Sequence, residues 1–162
     1  MIIIFEGVVI CFILLLVCVI GIAKDGPVGL VTFYEDDVKQ RVIELGLTTK
    51  EKIRRSTIIS FLALMIPMLI GIPWMVYGVN GVRTFHEGFL QMTSITLIAG
   101  LFDRLFIDWY WVGHTNAWRI PGTEDLKPYI SRPTLIKKWI STLIFHPLLC
   151  LLIAWIMSKL LQ

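Results

Sequence analysis

Charged residues are scarce in this sequence. Asp, Glu, Lys and Arg make up 17% of the 162 residues, whereas hydrophobic residues make up 56% and the mean hydropathy is +0.77. A soluble domain typically carries about 25% charged residues. The composition therefore excludes an ordinary soluble protein and predicts that the chain lies in a lipid bilayer. The length suits a single transmembrane domain, residues 1 to 162.

The sequence also lacks the motifs of several common chemistries. It contains no Gly-rich phosphate loop, no nucleophile elbow and no HExxH zinc motif. Its three cysteines, Cys11, Cys18 and Cys150, lie inside apolar runs without a CxxC pair, which excludes a disulfide framework and a zinc knuckle. The basic residues are explained by membrane topology, so no nucleic-acid partner is predicted. Catalytic residues, cofactor and metal stay unassigned.

Four apolar runs are long enough to cross a bilayer, which requires about 20 residues each. They cover residues 2–23, 57–78, 85–112 and 135–161. No Lys or Arg precedes the first run, so we expect a retained helix there and not a secretory signal. The predicted fold is all-α: a polytopic membrane protein with four transmembrane helices in a bundle.

The distribution of cations predicts the orientation of these helices. Residues 24 to 55 contain seven Lys and Arg and residues 113 to 138 contain five, whereas the second connection and the C-terminal end contain one each. Positive charge concentrates on the cytoplasmic side of membrane proteins. We therefore expect a multi-pass protein of the cell membrane, with both termini outside and the loops 24–55 and 113–134 in the cytoplasm.

The first of these loops has an amphipathic pattern between residues 27 and 46. Apolar residues recur there at three- to four-residue spacing: Val31, Tyr34, Val38, Val42 and Leu45. This spacing predicts an amphipathic helix on the cytoplasmic side. The pattern leaves two alternatives open, because such a helix can pack against the end of the bundle or bind the membrane surface.

Three charges follow an apolar run in the third predicted span: Asp103, Arg104 and Asp108. An unpaired charge in hydrocarbon costs several kcal/mol. We therefore expect the polar face of this helix to turn inward and Arg104 to pair with Asp108, which follows at the favourable i,i+4 spacing. The alternative is an interfacial anchor in which Arg104 reaches lipid headgroups and the neighbouring tryptophans form an aromatic belt.

Further polar residues follow in the sequence. His114 and Arg119 belong to a turn-rich loop, and His146 precedes Pro147 inside the fourth span, where proline removes a helix hydrogen bond. Each histidine has a structural alternative, as a hydrogen-bonded residue that binds nothing. The candidate ligand-binding residues are Asp103, Arg104, Asp108, His114, Arg119 and His146.

These features favour one function and leave two others open. We expect a protein that binds or moves a small or amphiphilic ligand through a polar cavity open to the cytoplasm, with a homo-oligomer as its expected assembly. The first alternative is a membrane-embedded enzyme that acts on a lipid or isoprenoid at the inner leaflet, with Asp103, Asp108 and His114 as its acid, base or metal ligands. The second is a structural subunit of a membrane complex.

Overall fold

The computed structural model describes residues 1–161, of which no part forms a β-strand, and the chain is 83% helical. The predicted all-α fold is therefore confirmed. Six α-helices follow one another along the chain: α1 (Ile2–Asp25), α2 (Asp36–Glu44), α3 (Lys50–Ile66), α4 (Phe85–Phe102), α5 (Arg132–Ile140) and α6 (His146–Leu160).

Short segments of other helix types lengthen these α-helices. A 3₁₀ segment continues α1, two π-helical segments continue α3, one continues α4, and another joins α5 to α6. In the same order, the residue ranges of these segments are Gly26–Phe33, Pro67–Gly71, Trp74–Val79, Asp103–Val112 and Ser141–Phe145.

Four continuous helices result, each long and apolar enough to cross a membrane. They run over Ile2–Phe33, Lys50–Val79, Phe85–Val112 and Arg132–Leu160. The four predicted spans are thus found, although the first extends about ten residues further and the second begins seven residues earlier than expected. Their outer surfaces expose large apolar side chains such as Phe12, Ile58 and Leu152, as hydrocarbon contact requires.

The helix α4 occupies the centre of the bundle. It packs against α1 on one side and α6 on the other, and 39% of its most apolar stretch is buried, compared with 11% for α3. The helix α3 packs mainly against α1 and the 3₁₀ segment Gly26–Phe33. The bundle is therefore tight around α4 and loose around α3.

At one end of the bundle, the buried carboxylate of Glu6 connects the two halves of the chain. Asn80 Nδ2 donates hydrogen bonds to Glu6 Oε1 at 3.0 Å and to Gln91 Oε1 at 3.0 Å. Arg83 donates to the Tyr77 and Val82 carbonyl oxygens, both at 2.9 Å. These bonds fix the connection between α3 and α4.

The opposite end is closed by α2 and residues 113–131, which together we call the cap. The expected helix over residues 27–46 is shorter than predicted, because the 3₁₀ segment ends at Phe33 and α2 begins only at Asp36. Two acids in its first turn favour this new start, since they interact well with the positive end of the helix dipole.

The apolar face of this region packs inside the protein. Val31, Tyr34, Val38 and Val42 are buried, whereas Leu45 stays exposed. They form one apolar cluster with residues of the second loop, namely Trp118, Ile120 and Tyr129. Of the two alternatives left by the sequence, the structure shows packing against the end of the bundle.

Polar contacts also hold the cap together. The Tyr34 hydroxyl donates to the Trp118 carbonyl oxygen at 2.5 Å, and the guanidinium of Arg41 makes a two-pronged ion pair with Asp125 at 3.1 and 3.2 Å. Burial raises the pKa of Tyr34, which keeps its hydroxyl a donor. The 113–131 loop is thus an ordered part of the fold.

Candidate functional site

A cavity of about 210 Å³ lies in the loosely packed half of the bundle. Its walls come from α1, α3, α4 and the region that joins α5 to α6. We call it the central cavity. Its polar lining residues are Thr96, Asp103, Arg104, Lys138, Ser141, Thr142 and His146.

Three π-helical segments meet around the central cavity. Pro67–Gly71 contributes Pro67 and Met68, Asp103–Val112 begins with Asp103 and Arg104, and Ser141–Phe145 contributes Ser141 and Thr142. A π-helical turn is wider than an α-helical turn. Such turns are rare in proteins, and those that do occur are often found at functional sites. Pro67 has no backbone N–H and therefore cannot donate a helical hydrogen bond. The sequence patterns predicted none of these wider turns.

Four charged side chains, of which Arg104 and Asp108 are buried and Asp103 and Lys138 half-buried, form one network beside the cavity. Arg104 makes ion pairs with Asp103 and with Asp108, and Lys138 Nζ lies 2.7 Å from Asp108 Oδ1. The predicted pairing of Arg104 with Asp108 is confirmed. Lys138 joins α5 to this network, although its place in the sequence marked it only as one of the cations that set the membrane orientation. Two acids and two bases give the network a formal charge of zero.

The rest of the cavity wall is apolar. It consists of Ile10, Ile13, Leu14, Ala63, Leu64, Met65, Pro67, Met68, Ile72 and Ala99. These residues come mainly from α1 and α3, whereas the charged residues come from α4 and α5. The central cavity therefore has an apolar wall opposite a polar one.

Two nitrogen atoms of the polar wall have no hydrogen-bond partner within residues 1–161. They are Arg104 Nε and His146 Nδ1, and both are buried. Leaving a buried donor or acceptor unpaired costs about 1–3 kcal/mol. A protein retains such atoms where water or a ligand supplies the missing partner. Both residues line the central cavity.

The other sequence candidates lie outside this cavity. Asp108 is buried behind the polar wall, where it binds Arg104 and Lys138. His114 is exposed, and its Nδ1 lies 2.6 Å from the Trp109 carbonyl oxygen. Arg119 is also exposed. The structure thus brings together Asp103, Arg104 and His146 at the cavity, with Asp108 directly behind them, and leaves His114 and Arg119 in the cap.

No family model, curated protein or solved structure matches this chain. The chemistry of the site therefore has to follow from its own residues. Within residues 1–161, no group of three or more His, Cys, Asp and Glu side chains is placed to hold a metal ion. What the geometry offers is an amphiphilic cavity with a neutral charge network and two unpaired nitrogen atoms.

Proposed function

We propose that this protein binds a lipid-like amphiphile in the central cavity. The observation that carries the proposal is the pair of unpartnered nitrogen atoms, Arg104 Nε and His146 Nδ1, which belong to residues that line the central cavity. A polar head that accepts a hydrogen bond satisfies Arg104, and an apolar tail fits the wall formed by α1 and α3. Binding sites for small molecules combine these features, a mostly apolar wall and a few placed polar groups.

The charge of the network indicates the type of head group. Asp103 and Asp108 already neutralise Arg104 and Lys138, so an anionic or cationic head would leave an uncompensated charge inside the bundle. A hydroxyl, carbonyl or zwitterionic head carries no such cost. We therefore propose a neutral amphiphile, for example a long-chain alcohol or an uncharged isoprenoid.

The packing of α3 suggests how a ligand enters. The helix α3 contacts α1 but packs little against α5 and α6, although residues of both sides line the central cavity. We propose that the weakly packed side between α3 and α5 is the entrance from the bilayer. An amphiphile can then enter sideways from the bilayer and keep its tail in an apolar environment throughout.

The expected orientation of the protein in the membrane decides which leaflet the central cavity lies near. Twelve of the fifteen Lys and Arg residues lie within residues 24–55 and 113–138, at the cap end, and the positive-inside tendency assigns this end to the cytoplasm. The Lys138 end of the central cavity then lies near the inner leaflet, and both chain termini lie outside the cell membrane.

An enzyme is less well supported by the geometry. Asp103 and Asp108 are engaged in ion pairs with cations, and His114 is turned onto a backbone carbonyl outside the cavity. A general base requires a free lone pair within reach of the substrate. Within residues 1–161, His146 is the one such candidate at the cavity, and it was not among the residues expected for catalysis. The binding function needs only the cavity and its unpaired nitrogen atoms.

A photoreactive ligand tests the proposal. The protein is placed in phosphatidylcholine nanodiscs with a hexadecanol that carries a diazirine in its chain, and the cross-linked residues are identified by mass spectrometry. Leu64→Trp fills the cavity, whereas Leu62→Trp makes the same change at an exposed position of the same helix. We expect cross-links to α1 and α3 in the wild type and in Leu62→Trp, and several-fold fewer in Leu64→Trp.

The same diazirine chain with an ammonium head tests the neutral-head argument and should label the cavity less than the alcohol. Equal labelling of Leu64→Trp and Leu62→Trp would show that the probe reports only the lipid-facing surface. The structural-subunit alternative would then replace the proposal.

A further inference from the structure

A second cavity, of about 410 Å³, lies between α2 and α3, outside the helix bundle. One face of α2 supplies Lys39 and Ile43, which are four residues apart. The face of α3 opposite them supplies residues at i, i+3, i+4, i+7 and i+8, the spacing of a single helical face. We call this cavity the α2–α3 cleft; it is lined by Lys39, Ile43, Lys50, Ile53, Arg54, Thr57 and Ile58.

The α2–α3 cleft is positively charged. Its lining contains three cations and no carboxylate. Lys39 is paired with the exposed Asp36 at 2.9 Å, but Lys50 and Arg54 make no ion pair with any of residues 1–161. Both are exposed side chains. The cleft therefore has unneutralised positive charge on the α3 side.

These cations also stand at an unfavourable position in their own helix. Four of the first six residues of α3 are basic, namely Lys50, Lys52, Arg54 and Arg55, and only Glu51 opposes them in the first turn. The N-terminal end of a helix carries a partial positive charge, so cations there are repelled and an anion is attracted. An anion in the cleft would offset both the side chains and the helix dipole.

The lipid-facing surface of α3 begins beside the cleft. Ile58, Ile59 and Phe61 are exposed apolar side chains. Arg54 lies about one helical turn before Ile58, and Lys50 about two turns before it. The cleft itself combines isoleucines with the basic residues. A bound molecule at this level has its charged part at the membrane surface and its apolar part next to hydrocarbon, the arrangement of a phospholipid.

We propose that the α2–α3 cleft is a binding site for the phosphate headgroup of an anionic membrane phospholipid. Lys50 and Arg54 bind the phosphate oxygens, Lys39 adds charge from α2, and the isoleucines contact the start of the acyl chains. Juxtamembrane basic clusters attract the negatively charged inner leaflet. The site is separate from the central cavity, shares no lining residue with it, and does not depend on the function proposed for it.

Native mass spectrometry with two defined lipids tests this proposal. The purified protein in detergent is mixed with equal amounts of dioleoyl phosphatidylglycerol and dioleoyl phosphatidylcholine, and the lipid retained is counted. The test variant is Lys50→Gln with Arg54→Gln, which removes two charges from the cleft. The matched control is Lys52→Gln with Arg55→Gln, which removes two charges from the same two turns of α3 but outside the cleft.

We expect the wild type and the control to retain phosphatidylglycerol preferentially, and the cleft variant to bind it about 30-fold more weakly, from the usual contribution of two basic residues. Lys39→Gln should weaken binding as well, since it alters the opposite wall. Melting temperatures in phosphatidylcholine must agree among all variants. Equal weakening in the cleft variant and the control would overturn the proposal in favour of general surface attraction, and no weakening in either would also overturn it.

Discussion

Replacing Asp108 with Asn removes the carboxylate that holds Arg104 and Lys138 together. The Asp108 side chain is only 4% exposed and that of Arg104 only 10% exposed. Asn has nearly the same volume, so Asp108→Asn changes the charge and leaves the packing intact. The network then carries a net positive charge inside the bundle.

The expected loss of unfolding free energy follows from the burial of the Arg104–Asp108 ion pair. Removing one partner of a buried ion pair typically costs about 3–5 kcal/mol, because the other charge stays buried without compensation. Arg104 keeps its second partner, Asp103, and the Lys138 side chain is 29% exposed and can regain water. We therefore expect the lower end of this range, about 3 kcal/mol of lost unfolding free energy.

Unfolding by dodecyl sulfate in mixed micelles, followed by circular dichroism, measures this loss. Asp36→Asn is the matched control, because it breaks the ion pair with Lys39 at a side chain that is 98% exposed. Exposed pairs contribute little, so this control should unfold like the wild type. If Asp108→Asn also unfolds like the wild type, the network does not hold α4 to α5 and the reasoning fails.

Two further predictions concern orientation and pH. A membrane-impermeant maleimide should label Asn116→Cys only from the cytoplasmic side and His86→Cys only from outside. Both positions are exposed, and the native cysteines are buried. Labelling of both variants from the same side would contradict the orientation. Hydrogen bonds from the Thr134 hydroxyl and the Ser131 backbone lower the pKa of Glu35 below its usual 4.5. Its stabilising contribution is therefore present above that value and lost as pH falls through the lowered pKa. At pH 7 the wild type should melt at a higher temperature than Glu35→Gln, and this difference should vanish in stronger acid.

The four long apolar helices could be predicted because an apolar run long enough to cross the hydrocarbon of a bilayer is visible directly in the sequence. Their ends were predicted less well. The basic residues from Lys50 to Arg55 lower the hydropathy without disfavouring the helix, so α3 begins earlier than its apolar run. Gly26 and Pro27 suggest the end of a helix, yet proline is tolerated in the first turn of the 3₁₀ segment that follows α1.

In the candidate site, a contact between residues close together in the sequence was predicted, and a contact between distant residues was not. The pairing of Arg104 with Asp108 depends on residues four apart in one helix, so spacing predicted it. The contact of Lys138 with Asp108 joins residues thirty positions apart. It depends on which helices become neighbours, and local patterns do not contain that information. His114 likewise seemed near the site by distance along the chain, but its ring is fixed by the Trp109 carbonyl five residues earlier.

The neutrality of the Asp103–Arg104–Asp108–Lys138 network has a consequence for a polarised membrane. A membrane potential acts on net charge that moves through its field, with about 2.3 kcal/mol per elementary charge for each 100 mV. With both carboxylates ionised, the four side chains can shift together, as α4 and α5 adjust to a ligand, without moving net charge. Voltage should therefore leave the proposed binding of a neutral ligand unchanged. A gating current would instead report that Lys138 has separated from Asp108.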